Sequence, residues 1–369
     1  MRGCGSNYFP CKEYSASMIM TWFVTTVKLC VLCVMGVCLS GAYEVLLANP
    51  PSDETPKSSD SSVWQVALDG SGQFTLIQEA IDQATSGDTI LIKAGIYAED
   101  VTVHSKDGLV IRGEGPERVF ITGEKRVGSL HIGKWPYGAT NVTIQGLTVF
   151  QHGGLGVGIF NGSGVHLKQV HVKGMVFSQQ VQGVHIEDCV IGESETTGVA
   201  FANSTGTLVG NRIHHNDHGI ALGGNSDVTL RRNVITHNLF EAVLMTDQAK
   251  ATVIQNTLVR NGGGMAFHDK TEAALRANII GYNAVALLFS PESQTTLTFN
   301  ALYDNQDDYV MQGTPQSPVP QRAGKTDVTF APGFVNVHED DFRLRHDSLL
   351  RNIGEFSYLG ALPPRTLPQ

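Results

Sequence analysis

NRIHHN, at residues 211–216, returns with the same outline as NVITHN, NTLVRN, NIIGYN and NALYDN at four later places in the chain. When the five segments are aligned, their asparagines form two columns, in which successive members lie 22 or 23 residues apart. The first column contains Asn211, Asn233, Asn256, Asn278 and Asn300, and the second contains Asn216, Asn238, Asn261, Asn283 and Asn305. Two columns with one shared interval indicate a repeated structural unit.

Apolar positions keep the same interval around the asparagines. Columns that include Leu208, Ile213 and Leu222 stay apolar from repeat to repeat, so each repeat has three short apolar segments separated by polar turns. Segments this short are typical of β-strands, and strands stacked about 4.8 Å apart form a parallel β-helix. The repeats therefore predict an all-β, single-stranded parallel β-helix with coils from about residue 88 to about residue 312, right-handed as parallel crossovers generally are.

The asparagine columns are interpreted as structural. Side-chain amides at equivalent turns can hydrogen-bond up and down a stack, as amide ladders do in other stacked β structures. We also expect these asparagines to take up the left-handed turn conformation that asparagine tolerates.

The two ends of the β-helix differ from its coils. Residues 74–84, FTLIQEAIDQA, have helical apolar spacing and a capping-box pattern formed by Thr75 and Gln78. We expect a short helix here that caps the open N-terminal end of the stack. The β-helix with its cap is assigned residues 63–312, and residues 313–369 are predicted to form a C-terminal tail that packs on it.

The N-terminal segment is interpreted as an export signal. Residues 29–39, LCVLCVMGVCL, are an apolar run that follows Lys28 and precedes small residues at 40–42, which is typical of a cleaved signal peptide. Residues 1–42 are therefore assigned as a signal peptide or an uncleaved anchor, and the polar residues 43–62 as a flexible linker. The chain is expected in the periplasm or outside the cell, held at the membrane if the signal stays uncleaved.

Composition limits the partners of the chain. The 369 residues carry a net charge of −9, with a pI near 5.8, which argues against a nucleic-acid partner. Five of the six cysteines lie within the first 38 residues and only Cys189 lies beyond them, which excludes a disulfide framework. We expect a monomer with no membrane contact beyond its N-terminal segment.

The N-terminal region resembles a known family. VALDGSGQFTLIQEAIDQA at 66–84 and GDTILIKAGIYAEDV at 87–101 are similar to the opening of pectin methylesterases and other pectin-lyase-like β-helix proteins. The repeats look like those of secreted carbohydrate-active proteins and of the periplasmic copper-maturation proteins of nitrous-oxide reduction. APGFVNVHEDDFRLRHDSLLRNIG at 331–354 resembles the closing segment of many bacterial extracellular β-helix proteins. The resemblance implies the pectin-lyase-like fold.

Pectin methylesterase chemistry is not implied. That family uses aspartates in Gln-Asp-Thr-Leu and Asp-Phe-Ile-Phe-Gly motifs and an arginine in a Gly-Arg-Pro-Trp motif. The comparable stretch at 171–204 contains none of these motifs. Fold alone does not carry function, so the activity has to be argued from other residues.

The candidate catalytic residues occupy one turn column, immediately before the second asparagine column: His215, His237, Arg260 and Tyr282. Stacked coils should bring His215 and His237 about 5 Å apart. A histidine or the tyrosine would act as a base and Arg260 would neutralise a uronate carboxylate. The alternative is a solvated turn face with no function.

The candidate substrate-binding residues are Trp135, Tyr137, His218 and Glu241. We predict no metal site and no cofactor. Adjacent residues His214 and His215 should face opposite ways in a strand, and no compact acidic cluster suited to calcium is visible.

One further polar surface lies on earlier coils and has the lysine and histidine that β-elimination uses. Its members are His152, His166, Lys168, His171, Lys173, His185 and Glu187.

Two functions remain open from the sequence. The first is an exported protein that binds or modifies a polysaccharide, expected to be acidic, as a lyase, an esterase or an epimerase. The second is a non-catalytic solenoid that serves as a scaffold or a periplasmic accessory protein.

Overall fold

The computed structural model describes residues 61–364 except 124–127, 135 and 314–323. The predicted signal or anchor segment and nearly all of the predicted linker lie outside this range, as does Trp135. Within the described residues, no helix is both long enough and apolar enough to cross a membrane.

Parallel strands form the body of the structure. Sheet A has 11 parallel strands, one from each coil. They are Val63–Val66, Thr89–Ile92, Val110–Gly113, Thr143–Gln145, His166–Lys168, Val184–Glu187, Thr205–Val209, Asp227–Arg231, Lys250–Ile254, Glu272–Arg276 and Gln294–Thr298. Each strand pairs in register with the strand of the next coil, as His166 does with His185.

The remaining parallel strands form sheet B, which has two rows. Row B1 contains Gly95–Tyr97, Val119–Thr122, Val190–Gly192, Arg212–His214, Val234–Thr236, Thr257–Val259, Ile279–Gly281 and Ala301–Tyr303. Row B2 contains Val101–Val103, Leu130–Ile132, Thr197–Ala202, His218–Gly223, Glu241–Met245, Gly263–Phe267, Val285–Phe289 and Asp307–Met311. The longer strands Thr148–Phe160 and His171–Gln179 run through both rows. After the first coil, which supplies only Val63–Val66 to sheet A, each coil supplies one strand to sheet A and one to each row, which is the pectin-lyase-like parallel β-helix.

The interior of the coils is one continuous apolar core. Ile213, Leu222 and Leu230, from the three strands of one coil, are at most 1 % exposed. Phe267 and Phe289 stack with ring centroids 5.5 Å apart. Side chains alternate along each strand, so the remaining strand positions face outwards.

A seven-residue helix, Ile77–Gln83, packs beside the first coils, with Ile77, Ala80 and Ile81 buried in the core. The expected capping box is absent. Glu99 Oε1 accepts from the Ile77 amide at 2.8 Å and Glu99 Oε2 from the Gln78 amide at 3.0 Å. The Gln78 side chain instead accepts from the Thr102 amide at 2.7 Å, so it cannot reach back to Thr75. A carboxylate from the next coil therefore accepts hydrogen bonds from backbone amides in the first turn of the helix, which have no partner within the helix.

Both asparagine columns form ladders of hydrogen bonds. The Asn256 side-chain oxygen accepts from the amide and the Nδ2 of Asn233, both at 2.9 Å. Asn256 Nδ2 donates to the Leu230 carbonyl at 2.9 Å. At the C-terminal end, Asp327 Oδ1 accepts from Asn300 as the next asparagine would. All of these asparagines except Asn305 are buried, so the bonds satisfy polar groups inside the corners.

The expectation that the asparagines are left-handed is wrong, because the residue before each one has that conformation. Gln255, before Asn256, has φ 52°, and His215, before Asn216, has φ 55°. The left-handed residue turns the chain at the corner, and the asparagine that follows points inwards onto the ladder.

The C-terminal tail covers the outer face of row B1. It contains two antiparallel pairs, Phe334–Asn336 with Asp341–Leu344 and Arg351–Ile353 with Phe356–Tyr358, and a 3-10 turn at Val337–Glu339. A second apolar cluster joins the tail to the row: Val234, Val259, Ala277, Ile279, Ala301, Phe334, Phe342, Leu344, Leu350, Leu359 and Ala361. The tail therefore buries the outward-facing apolar residues of the later coils.

Candidate functional site

The corner strip, which we define as His215, His237, Arg260 and Tyr282, lies at one corner of four successive coils. All four residues have left-handed backbones, with φ of 55°, 55°, 59° and 58°. The rings of His215 and His237 stack with centroids 5.2 Å apart and planes 7° apart. Arg260 Nη1 lies 3.5 Å from His237 Nε2. The structure thus brings the predicted catalytic residues into one row.

His214 also lies at the strip, and the expectation that it faces away from His215 is wrong. The Nδ1 atoms of the two rings are 2.9 Å apart. Strand alternation ends at His214, the last residue of its strand, because His215 already belongs to the left-handed turn. Three imidazoles therefore cluster at this corner.

The tail places one carboxylate beside His237 and Arg260 of the strip and beside the neighbouring Arg212. Asp340 Oδ2 lies 3.0 Å from Arg212 Nη2 and 3.7 Å from His237 Nδ1, while Asp340 Oδ1 lies 3.6 Å from Arg260 Nη1. Asp340 follows the 3-10 turn in a left-handed conformation. Arg212, His237 and Arg260 remain 39, 28 and 28 % exposed. Side chains from three coils thus converge on one carboxylate without being closed off from solvent.

Two of the histidines at this corner, His214 and His237, favour the neutral form. Burial, the charge of Arg212 and the ring of His215 lower the pKa of His214 to about 4. Burial also lowers the pKa of His237; the nearby Asp340 opposes this, and His215 and Arg260 add to it. Neutral imidazoles can accept a proton at neutral pH, so His237 has the protonation state of a base.

Tyr282 is suited to donating a hydrogen bond. Its ring meets the ring of Tyr303 edge-on, with centroids 5.8 Å apart, and packs against the apolar cluster of the tail. Burial and the neighbouring Tyr303 raise the pKa of Tyr282. The hydroxyl therefore stays protonated at neutral pH.

The predicted substrate-binding residues are scattered. His218 and Glu241 lie together on row B2, with Nδ1 of the histidine 3.1 Å from Oε2 of the glutamate, and are only 12 and 19 % exposed. Tyr137 is exposed, and Trp135 lies outside the described residues. The ring of His218 contacts that of Phe240. His218 and Glu241 mainly contact their neighbours on the row and offer a sugar little surface.

Glu241→Gln is expected to lower the stability of the protein at neutral pH and to lower it less in acid. Burial alone would raise the pKa of Glu241, but the contact and charge of His218 outweigh it, so the pKa is lowered. The stability that an ionised Glu241 contributes is therefore present above its unfolded pKa of about 4.3 and is lost as pH falls through the lower folded value. A charged contact of this kind contributes about 1.5–3 kcal/mol.

Thermal unfolding of the protein and the variant at pH 7 and pH 3 measures this effect. Glu339→Gln, at an exposed position, is the control. A difference between wild type and Glu241→Gln that stays the same at both pH values would contradict the assignment.

A second group of polar side chains lies on the outer face of sheet A. Lys168 Nζ and His166 Nε2 each lie 3.2 Å from Glu187 Oε2, and His185 Nε2 lies 3.8 Å from it. The rings of His166 and His185 meet at a centroid distance of 4.6 Å. These four side chains, which we call the sheet A group, are 28–39 % exposed. They belong to the further polar surface that the sequence indicated.

Two features of these sites escaped sequence reasoning. Asp340 lies far along the chain from the strip, and no repeat indicates where the tail docks. The convergence of His166 and His185 on Glu187 depends on the sheet A register, which aligns His166 with His185 and Lys168 with Glu187. VHLK at 165 and VHIE at 184 have the same phase in the sequence, so the pairing of His166 with His185 was predictable, whereas the convergence of both rings on Glu187 was not.

Two families match different parts of the chain. Residues 140–315 match the family described as periplasmic copper-binding protein (NosD), and residues 63–172 match the pectinesterase family. A pectinesterase of Petunia integrifolia is 39 % identical over 98 residues, which are 24 % of this chain and 26 % of that protein. A probable pectinesterase/pectinesterase inhibitor of Arabidopsis thaliana is 43 % identical over 76 residues, covering 20 % and 14 %. The chain thus spans about a quarter or less of these curated relatives.

Solved structures share the architecture at low sequence identity. The Dettilon tailspike protein matches with a TM-score of 0.50 and 12 % identity, over 73 % of this chain and 68 % of that one. The pectate lyase Pel9A matches with a TM-score of 0.49 and 14 % identity, over 83 % and 97 %. Such identities bear on the fold alone. With the family matches and the coil architecture, the chain is a pectin-lyase-like parallel β-helix protein, part of which is similar to pectinesterases.

Proposed function

We propose that this protein binds an acidic polysaccharide along the corner strip. The observation that carries the proposal is the convergence of Arg212, His237 and Arg260 on the Asp340 carboxylate. Two guanidinium groups and one imidazole at these distances suit the carboxylate of a uronate as well as that of an aspartate. The similarity of residues 63–172 to pectinesterases favours a polymer of uronic acids.

The local charge supports the same conclusion. Where the tail meets the strip, Arg212 and Arg260 carry two positive charges against the one negative charge of Asp340, which gives these three side chains a net charge of +1. The chain as a whole has a net charge of −9, so an anionic polymer is repelled over much of the surface and attracted here. Because successive coils lie about 4.8 Å apart, the side chains of the strip form a row along the helix axis. An extended polymer can lie along such a row.

The strip also has the groups for proton transfer at a uronate. Removal of the proton on the carbon next to a carboxylate begins both β-elimination and epimerisation, and it needs a base and a cation that neutralises the carboxylate. His237 serves as the neutral base with His215 stacked on it, and Arg260 as the neutralising cation. Tyr282 donates a hydrogen bond to the sugar, and the assignment of Trp135 and Tyr137 as sugar contacts stays a prediction from the sequence. An exported location fits such a substrate.

Replacing Arg212 or Arg260 with alanine is expected to weaken the binding of polygalacturonate or alginate about tenfold or more, since each loses charged hydrogen bonds worth about 1.5–3 kcal/mol. Asp340→Asn should strengthen binding, because it removes the competing carboxylate and keeps a residue that tolerates the left-handed backbone. Calorimetric titration with the acidic polymers and with a neutral glucan measures both effects.

Lys250→Ala removes the same charge from sheet A, away from the strip, and is the matched control. Equal losses for Lys250→Ala and the arginine variants would contradict the strip as the binding site. So would tight binding of the neutral glucan.

Catalysis is tested separately from binding. Incubation with polygalacturonate or alginate should give unsaturated products, detected by ultraviolet absorbance, or epimerised sugar, detected by NMR, and His237→Ala should abolish either product. Binding without turnover would instead support a non-catalytic scaffold or accessory protein. The intramolecular contact of Asp340 with Arg212 favours that second function, because it also serves to hold the tail.

A further inference from the structure

We propose that His166, His185 and Glu187 form a binding site for a divalent first-row transition metal ion such as Zn²⁺. The site lies on the outer face of sheet A, on the strands His166–Lys168 and Val184–Glu187. It is separate from the corner strip and does not rest on the polysaccharide proposal. One ligand atom from each of the three residues lies within 4.8 Å of the other two.

The distances suit one small ion. Zinc lies about 2.0–2.2 Å from histidine nitrogen and carboxylate oxygen, so the ligand atoms of a tetrahedral site are about 3.3–3.5 Å apart. Glu187 Oε2 lies 3.2 Å from His166 Nε2 and 3.8 Å from His185 Nε2. Small side-chain rotations would therefore bring all three atoms to bonding distance without moving the backbone.

His166 has a ring nitrogen positioned for a ligand. Its Nε2 is buried and lies 3.2 Å from Glu187 Oε2, but among the described residues it makes no hydrogen bond of good geometry. A buried polar atom without such a partner is costly, and coordination to an ion would satisfy it. Glu187 is aimed at the same point from the next coil.

The donor set indicates the class of metal. Two imidazoles and one carboxylate are typical ligands of zinc sites that keep a coordination position open, and imidazole favours zinc, copper and nickel over calcium and magnesium. The side chains of His185 and Glu187 are 39 and 28 % exposed, so water or another molecule can reach the open position. The same preference makes calcium a poor fit to these donors.

Lys168 competes with the ion. Its Nζ lies 3.2 Å from the same Glu187 oxygen. Among the described residues that the register of the sheet places beside the ligands, Lys168 is the charged one. Thr143 and Gln145 lie on one side in this register, and Thr207 and Val209 on the other. Lys168 is 36 % exposed and can swing outwards when the ion binds. Its charge should weaken metal binding, so replacing Lys168 tests whether the ion binds at this site.

Calorimetric titration of the full chain with Zn²⁺ tests the site. His166→Ala and His185→Ala should each weaken one binding event about tenfold or more, and Glu187→Gln should do the same with little change in shape. Lys168→Gln should strengthen it about threefold or more, because it removes the competing charge. Co²⁺ in place of Zn²⁺ should give visible absorption bands that the alanine variants lose.

Controls separate this site from other ligands. His346→Ala, on the exposed surface of the tail, should leave binding unchanged. The five N-terminal cysteines are present in every variant, so only differences between variants report on sheet A. Zn²⁺ binding that is unaffected by the His166, His185 and Glu187 variants, or that is lost in His215→Ala instead, would overturn the proposal.

Discussion

Replacing Asn256 with alanine is expected to lower the free energy of unfolding by about 3 kcal/mol or more. The side chain is fully buried and takes part in bonds on both sides of its coil. Its oxygen accepts from the amide and Nδ2 of Asn233, and its Nδ2 donates to the Leu230 carbonyl and to Asn278. Each buried partner left unsatisfied costs about 1–3 kcal/mol, and several are left at once. Urea unfolding followed by circular dichroism measures the change.

Asn225→Ala is the matched control for this prediction. Asn225 is exposed and lies outside the ladders, so its loss should change stability by less than about 0.5 kcal/mol. Asn256→Asp adds a second comparison, because it keeps the accepting oxygen and removes the donating NH₂ group. If Asn256→Ala were no more destabilising than Asn225→Ala, the ladder would not be a source of stability.

The asparagine ladders show which parts of this fold a sequence can predict. Repeats at a fixed interval report contacts between neighbouring coils, so Asn233 and Asn256 could be paired from their positions alone. The backbone conformation of the corner could not be predicted in this way, because left-handed geometry is commonly associated with asparagine itself. Here it belongs to residues as varied as His215 and Ala277, and the fold imposes it on them.

The candidate sites were less predictable than the coils. The order of residues in the corner strip followed from the repeat, and the stacking of His215 on His237 agrees with it. Asp340 could not be placed at the strip, because the tail lacks the repeat and its docking depends on apolar packing. The sheet A group required the register of the earlier coils, where the interval between repeats is irregular.

Replacing Phe342 with alanine is expected to release the tail, at a cost of about 3–5 kcal/mol. Phe342 is 1 % exposed, and its ring meets that of Phe334 at a centroid distance of 5.4 Å within the cluster that covers row B1. Removing it leaves a cavity between the tail and Val234 and Ile279, residues that the tail otherwise shields. Limited proteolysis should then cut the tail faster than the coils, and the melting temperature should fall.

The same substitution connects the fold to the proposed binding. Asp340 lies two residues before Phe342, so a released tail withdraws its carboxylate from Arg212 and Arg260. Binding of polygalacturonate should then rise, as it should for Asp340→Asn. Phe330→Ala, at a tail residue that is 46 % exposed, should change neither proteolysis nor binding. If the tail of Phe342→Ala is cut faster but polygalacturonate binding weakens, the tail must help to hold the polymer. Loss of a competing carboxylate would have strengthened binding instead.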